Sequence, residues 1–195
     1  MVSALECVWS RVHADASNFA EGVTKQQAYD QVLLQAEGLF DGQRNWHPCQ
    51  LGRYSVPPLL SLYRNSSRPL SHHVNPPPFT GFYTLDASAS PEKPRLILGP
   101  FQGKVACQTI YFGRGVCGAA ASTRTTQLVR DVEQFPGHIA CDGDSKSEIV
   151  VPIVVDDKVV AIIDIDCAVL EGFDDIDQAA LEKLAALLAR SCDWS

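Results

Sequence analysis

The sequence predicts an α+β fold in a single domain. Two amphipathic helical patterns, at residues 24–40 and 174–192, flank a central series of short apolar runs that are rich in valine and isoleucine. The clearest of these runs, residues 148–155 and 158–166, are joined by two aspartates, which predicts an antiparallel hairpin with a two-residue turn. The order of helix, antiparallel strands and helix favours a layered α+β arrangement.

Both terminal helices have recognisable boundaries. Thr24 is suited to cap the first helix because Gln27 follows three residues later, and Asp41 and Gly42 end it. The last helix carries aspartates at its N-terminus, where they suit the helix dipole, and leucines and alanines at helical spacing. Each helix therefore presents one apolar face.

Shorter runs fill the centre of the chain. Residues 81–85 and 94–98 predict a hairpin, residues 105–111 a third strand and residues 126–129 a fourth strand. A short helix is predicted at residues 118–122. Together with the acidic-turn hairpin, these runs predict a sheet of about six antiparallel strands flanked by the terminal helices.

The stretch after the first helix has a different composition. Prolines cluster between residues 46 and 78, and no helical or strand period persists there. We therefore predict an N-terminal segment at residues 1–23 and one domain at residues 24–192. An atypical proline-rich stretch occupies residues 47–80 of that domain.

Charge and hydropathy exclude several classes of function. The net charge of -7 argues against binding to nucleic acid or to an anionic membrane. The sequence has no run of 18 apolar residues that could span a bilayer. The N-terminus has an early glutamate and no sustained apolar run, unlike a signal peptide, so we expect a cytoplasmic protein.

The chain contains seven cysteines, which in a reducing compartment are free, metal-bound or redox-active. We expect no metal, because no Cys-x-x-Cys pair or Cys/His group has zinc-ligand spacing. Four of the seven are expected to be buried and inert: Cys7, Cys49, Cys167 and Cys192. The other three lie close together among glycines, which is the pattern of a reactive site.

Cys141 is the best candidate for a nucleophilic thiolate. It lies in a glycine-flanked loop between predicted strands, and His138 is three residues away. His138 could support a thiolate or could equally cap a backbone carbonyl. Cys107, on the predicted third strand, and Cys117, in the glycine-rich segment 113–118, are the candidate partners for a disulfide. Those glycines indicate backbone placed close to a ligand or to another chain.

Three carboxylates, Glu148, Asp164 and Asp166, interrupt the apolar hairpin. Asp164 and Asp166 alternate with isoleucines, so their side chains point to the same face of the strand. A buried charge needs a partner. The pair could bind an ammonium group, bind a metal, or line a hydrated sheet surface, and spacing alone does not choose among these.

Five motifs in order resemble the free methionine-(R)-sulfoxide reductases, which are enzymes with the GAF fold. The motifs are LGPFQGKVAC at 98–107, FGRGVCG at 112–118, FPGHIACD at 135–142, SEIVVP at 147–152 and IDID at 163–166. The resemblance implies a single GAF domain with a six-stranded antiparallel sheet, and often a homodimer. It implies thiol-dependent reduction of free L-methionine (R)-S-oxide, without a bound cofactor. The implied reductant is thioredoxin, recharged by NADPH and thioredoxin reductase.

The same resemblance assigns roles to individual residues. Cys141 matches the nucleophile that becomes a sulfenic acid, Cys107 the principal resolving thiol and Cys117 an accessory thiol. The three carboxylates match acidic residues of the substrate pocket, where they hold the amino group and help to protonate the sulfoxide oxygen.

Two segments depart from the family pattern. The pocket tryptophan of family members is absent, with Phe79 as the candidate replacement, whereas Tyr83 keeps the matching tyrosine. Residues 47–62 also do not resemble the helix expected there. Back-translated codons read one base later restore the family pattern, so we hypothesise that part of this segment is translated in the wrong frame. A transcript that confirms the present frame would exclude that hypothesis.

Two alternatives remain beside the reductase. A GAF-type sensor would bind a small molecule without turnover, but it would have no need for three cysteines in these motifs. A crippled reductase would follow from the changes at residues 47–80, although the three thiols and three carboxylates are intact.

Overall fold

The computed structural model describes residues 22–40, 79–104, 106–141 and 143–194. Within these ranges, six strands form one antiparallel sheet in the order β3-β2-β1-β6-β5-β4, and three α-helices flank it. The elements in chain order are α1 (Lys25–Phe40), β1 (Phe79–Leu85), β2 (Arg95–Gly103), β3 (Thr109–Tyr111), α2 (Gly115–Thr123), β4 (Gln127–Val129), β5 (Ser147–Val155), β6 (Lys158–Cys167) and α3 (Asp175–Ser191), with a 3-10 turn at Val132–Gln134. The predicted α+β class and the six-stranded antiparallel sheet are confirmed.

Side-chain caps explain where the terminal helices begin. The amide of Thr24 donates to Gln27 Oε1 at 2.9 Å, and the amide of Gln27 donates back to the Thr24 hydroxyl at 3.3 Å. Asp174 and Asp177 form the equivalent reciprocal pair at the start of α3. Each pair satisfies amides that have no partner within the helix.

A buried polar cluster joins the two terminal helices. The hydroxyl of Tyr29 on α1 donates to Asp177 Oδ1 on α3 at 2.7 Å, and Lys25 donates to Asp177 Oδ2. Asp177 is almost fully buried, so these donors replace its lost hydration. The cluster fixes α1 against α3 on one face of the sheet.

Alternate residues of the β5–β6 hairpin lie on the two faces of the sheet, and the two faces differ. Its turn places Asp156 and Asp157 at φ of 47° and 61°, which is the left-handed geometry that matches strand twist. Alternate residues such as Ile149 and Ile163 pack under α1 and α3. The intervening residues face α2, where a second apolar cluster is interrupted by the carboxylates of the hairpin.

The third predicted strand was wrong at its start. β3 begins at Thr109, not at residue 105, so Cys107 lies in a loop and not on a strand. The reason is that β2 runs further than predicted, to Gly103, which pairs with Phe79 of β1. Pro100 is tolerated within β2 because it falls at an irregularity in the β1–β2 register. The chain then needs a loop to turn back and pair with Arg95.

The remaining element boundaries differ less. α2 extends over Gly115–Thr123 instead of 118–122, and β4 begins one residue later than predicted. Almost all of the N-terminal segment 1–23, most of the proline-rich stretch 47–80 and the frame-shift hypothesis for 47–62 lie outside the described residues. Within the described parts of the chain, no helix is both long and apolar enough to cross a membrane.

Candidate active site

A cavity of about 150 Å³ opens on the α2 face of the sheet. Its wall brings together all eight predicted site residues from β1, α2, β5, β6 and two loops: Phe79, Tyr83, Cys107, Cys117, Cys141, Glu148, Asp164 and Asp166. His138 and Arg114 line it as well. Residues that are scattered over almost 90 positions of sequence thus meet in one place.

The floor of the cavity is acidic because of the strand register. Glu148 on β5 is paired with Asp166 on β6, and Asp164 lies two residues earlier on the same face. Glu148 is 7% exposed and Asp164 is 5% exposed, so both carboxyl groups have lost most of their hydration. Desolvation of this kind favours the neutral form of a carboxyl group.

The pKa values of the two buried acids follow from that environment. Burial raises the pKa of Asp164 to about 7. Burial raises the pKa of Glu148 well above its ordinary value, and the charges of Asp164 and Asp166 add to the effect. The cluster therefore holds a proton near neutral pH, which is what a general acid requires.

Cys117 lies in the first turn of α2, above the acidic floor. Its thiol is buried and donates to Glu148 Oε1 at 3.6 Å. Burial, followed by the charges of Asp164 and Glu148, raises the pKa of Cys117 well above its ordinary value. Cys117 is thus a protonated thiol at neutral pH, which is a poor nucleophile until it is deprotonated.

The glycines around Cys117 have a structural role that differs from the sequence interpretation. A Cβ on Gly118 would lie 2.3 Å from the carbonyl oxygen of Tyr111, so α2 packs directly on β3 of the same chain. Gly113 and Gly115 adopt positive φ values of 77° and 63°. Of these three glycines, Gly118 is the one with a close neighbour, and that neighbour is backbone of the same chain and not a ligand or a second chain.

Cys107 and Cys141 are joined by a disulfide at the mouth of the cavity. Their Cα atoms are 5.6 Å apart, although 34 positions separate them in sequence. Cys141 is exposed and Cys107 is half-buried. Lys104 and Asp144, from the same two loops, form an ion pair beside the disulfide. The disulfide can therefore be reduced to two thiols by an external dithiol and can form again when one of those thiols is oxidised.

Part of the cavity wall is aromatic. Phe79 is buried, stacks on Phe101 with ring centroids 5.6 Å apart and lies 6.0 Å from the ring of Tyr83. Gly81 makes room for this stack, because a Cβ there would lie 2.5 Å from Cβ of Phe101. The wall gives a flat apolar surface for an aliphatic or thioether chain.

Other cavity residues were not singled out from the sequence. They include Tyr111, Ile110, Val116, Ile139 and Ser145. Tyr111 and Ile110 come from β3, and Ile139 and Ser145 flank Cys141. Proximity to the glycine-rich and cysteine motifs is the only signal that could have identified them.

The cysteines expected to be inert divide into two groups. Cys167 is fully buried under the opposite face of the sheet, and Cys192 is partly buried at the end of α3. Cys7 and Cys49 lie outside the described residues.

Among the described residues, Cys117, Glu148 and Asp164 form a group whose donor atoms have metal-ligand spacing, with all atoms within 4.8 Å of one another.

Comparison with known proteins gives a consistent result. The GAF domain family model matches residues 80–191. The free methionine-R-sulfoxide reductase of Saccharomyces cerevisiae is 52% identical over 181 residues, which cover 92% of this chain and 94% of that protein. The enzyme of the same name from Escherichia coli is 40% identical over 150 residues, or 77% of this chain and 86% of that protein.

Solved structures agree with the sequence comparison. The free methionine-R-sulfoxide reductase of Neisseria meningitidis, in complex with its substrate, superposes with a TM-score of 0.74 at 33% identity. The alignment covers 89% of this chain and 93% of that one. A GAF domain structure that is 50% identical superposes with a TM-score of 0.79, over 93% of this chain and 96% of that one.

Proposed function

Because the chain belongs to the free methionine-R-sulfoxide reductases, a family with the GAF fold, we propose that it reduces free L-methionine (R)-S-oxide with Cys141 as nucleophile and Cys107 as resolving thiol. The observation that carries these assignments is the Cys107–Cys141 disulfide at the mouth of a cavity with an acidic floor. Cys141 is the more exposed of the two, which suits the thiol that meets both substrate and reductant.

The proposed reaction has three steps. The Cys141 thiolate attacks the sulfoxide sulfur while the oxygen is protonated, which forms an S–S bond and leaves a hydroxyl group on the substrate sulfur. That hydroxyl group moves to the Cys141 sulfur as the S–S bond breaks, so methionine leaves and Cys141 becomes a sulfenic acid. The Cys107 thiol then attacks the Cys141 sulfur, water leaves and the disulfide forms. An external dithiol reduces that disulfide and is itself oxidised. We propose thioredoxin, with NADPH and thioredoxin reductase, in the cytoplasm, where thiols are kept reduced.

The acidic floor supports two further roles. Glu148 is the proposed proton donor to the sulfoxide oxygen, since burial and the neighbouring carboxylates raise its pKa and favour its protonated form. Asp164 and Asp166 are the proposed acceptors for the substrate ammonium group. An N-acylated or peptide-bound methionine sulfoxide has no ammonium group, so it loses this interaction.

The remaining predicted cavity residues bind the substrate side chain or act as a further thiol. Phe79 and Tyr83 hold the side chain of the substrate, with Phe79 in the place of the family tryptophan. Cys117 acts as an accessory resolving thiol when Cys107 is unavailable. No bound cofactor takes part. The homodimer implied by the family resemblance belongs to the same proposal and is tested by light scattering of the purified chain.

The test is NADPH oxidation coupled through thioredoxin reductase and thioredoxin to the purified chain. Three substrates are compared: free L-methionine (R)-S-oxide, its (S) epimer at sulfur, and N-acetyl-L-methionine (R)-S-oxide. We expect turnover of the first alone. Equal turnover of the N-acetyl compound would refute the role of the carboxylates. A folded protein without turnover on any of the three would favour the non-catalytic sensor.

A further inference from the structure

We propose that Cys117, Glu148 and Asp164 form a binding site for a thiophilic divalent cation, Zn²⁺ above all, and that the bound ion inhibits the enzyme. The three groups come from α2, β5 and β6 and meet at the bottom of the cavity. Binding itself follows from their geometry alone. Inhibition also rests on the proposed function, because it requires these groups to act on the substrate.

The donor spacing suits a tetrahedral ion. Zinc binds sulfur at about 2.3 Å and carboxylate oxygen at about 2.0 Å, so two such ligands of one ion are about 3.5 Å apart. Cys117 Sγ and Glu148 Oε1 are 3.6 Å apart, and Asp164 lies within 4.8 Å of both. An ion between these atoms would need only small side-chain adjustments, and water from the cavity would fill its fourth position.

A second observation points to a missing ligand at this place. Asp164 Oδ1 is buried and has no hydrogen-bond partner among the described residues. Buried carboxylate oxygens are almost always paired, so an orphaned one at a cavity floor is expected to meet an ion or a ligand. Asp164 is also a cavity residue, which gives an ion a path from solvent.

The thiol determines which cation fits. Carboxylates alone would suit Mg²⁺ or Ca²⁺, which require six or more oxygen ligands. A thiolate with two carboxylates suits Zn²⁺ and its spectroscopic substitute Co²⁺. On binding, the Cys117 proton and any carboxyl protons leave to solvent, and no electron is transferred.

An ion in this position blocks the proposed reaction. It neutralises Asp164 before the substrate ammonium can bind, and it prevents Glu148 from donating a proton. Zinc should therefore raise the KM for free methionine sulfoxide, and saturating substrate should overcome much of the inhibition.

The test begins with Co²⁺ titration of the oxidised protein, in which Cys107 and Cys141 are already joined. Cys7 and Cys49 are replaced by serine throughout. We expect a thiolate-to-cobalt absorption band in the parent protein and in the matched control Cys192→Ser, and its loss in Cys117→Ser. Competition with Zn²⁺ should give an affinity that falls at least about tenfold in Glu148→Gln, which keeps the thiolate and therefore the band. An unchanged band in Cys117→Ser would overturn the site.

A second measurement covers the case in which Cys117→Ser does not fold. X-ray absorption at the zinc edge is recorded for the oxidised parent protein loaded with one equivalent of Zn²⁺. We expect one sulfur ligand, together with oxygen ligands, and the same spectrum from Cys192→Ser. A zinc ion with only oxygen or nitrogen ligands would overturn the site.

Inhibition is then measured separately from binding. Normal cobalt binding without any rise in KM would overturn the inhibitory role. Normal cobalt binding in a protein that never reduces methionine sulfoxide would contradict the proposed function and leave the metal site standing. Loss of the metal site and absence of the reductase activity are therefore detected by different experiments.

Discussion

Glu148 and Asp166 lie directly opposite each other across the antiparallel pair of β5 and β6. Like charges at such positions repel each other and weaken a sheet. Asp164, on the same face, brings a third carboxyl group to the same cavity, and Glu148 and Asp164 are both buried. An arrangement that opposes folding is expected at a functional site, where the same repulsion raises the pKa of a proton donor.

The first prediction concerns the role of Glu148 as proton donor. Burial and the charges of Asp164 and Asp166 raise its pKa, so its protonated form persists to higher pH than that of an ordinary glutamate and is lost as pH rises through that pKa. Glu148→Gln should slow methionine release in a single turnover about a hundredfold at neutral pH. The ratio of wild-type rate to variant rate should shrink at alkaline pH. A ratio of the two rates that stays constant with pH would contradict the assignment.

The second prediction concerns stability. The pKa of Asp164 is about 7 in the folded chain, against an ordinary value of 3.8, so the folded state binds more protons between these pH values. The stability that the protonated Asp164 carboxyl group contributes is therefore complete below pH 3.8, and it is lost as pH rises through about 7. Asp164→Asn should therefore be more stable than wild type at alkaline pH, with the difference shrinking under acid conditions.

Urea unfolding of Asp164→Asn at several pH values measures this difference. The exposed Asp175→Asn is the matched control, for which we expect no comparable trend. A stability difference for Asp164→Asn that is independent of pH would show that its carboxyl group is not perturbed by burial.

The third prediction concerns the link between the terminal helices. Tyr29→Phe removes the donor to Asp177 Oδ1 and leaves a buried carboxylate oxygen without that partner. We expect a loss of about 1–3 kcal/mol in the free energy of unfolding. In a double-mutant cycle with Asp177→Asn, the two effects should not add. Strict additivity would mean that the contact does not stabilise the fold.

The fourth prediction concerns the hairpin turn. Asp156 and Asp157 both adopt positive φ, and the ion pair of Asp157 with Arg124 is long and exposed. The double change Asp156→Asn and Asp157→Gly should stabilise the protein by about 0.5–1 kcal/mol, because glycine and asparagine suit this turn better. Asp157→Val should destabilise it instead. Thermal unfolding of both variants, with unchanged activity, checks this prediction.

The sequence was most informative where local patterns decide the structure. The capping pair of Thr24 and Gln27 located the start of α1, and the alternation of Asp164 and Asp166 placed both on one face of β6. The acidic turn defined the β5–β6 hairpin. These features depend on residues within a few positions of one another, so a single sequence contains them.

Features that depend on distant contacts were not predictable in the same way. Cys107 was assigned to a strand because local residues favour one, but the pairing of β2 with β1 moved it into a loop. The contact of Asp177 with Tyr29, 148 positions away, left no local signal. The glycines around Cys117 were interpreted as backbone close to a ligand or to another chain, and only the packing of α2 on Tyr111 explains Gly118. Tertiary pairing, and not propensity, decided each case.

The most direct test of the account is a single turnover of pre-reduced protein with excess free L-methionine (R)-S-oxide and no external reductant. Methionine release is measured together with the disulfide state, using Cys141→Ser and the matched control Cys192→Ser. We expect one methionine per wild-type or Cys192→Ser chain, with formation of the Cys107–Cys141 disulfide, and none from Cys141→Ser. Methionine release by a folded Cys141→Ser protein would contradict the central assignment.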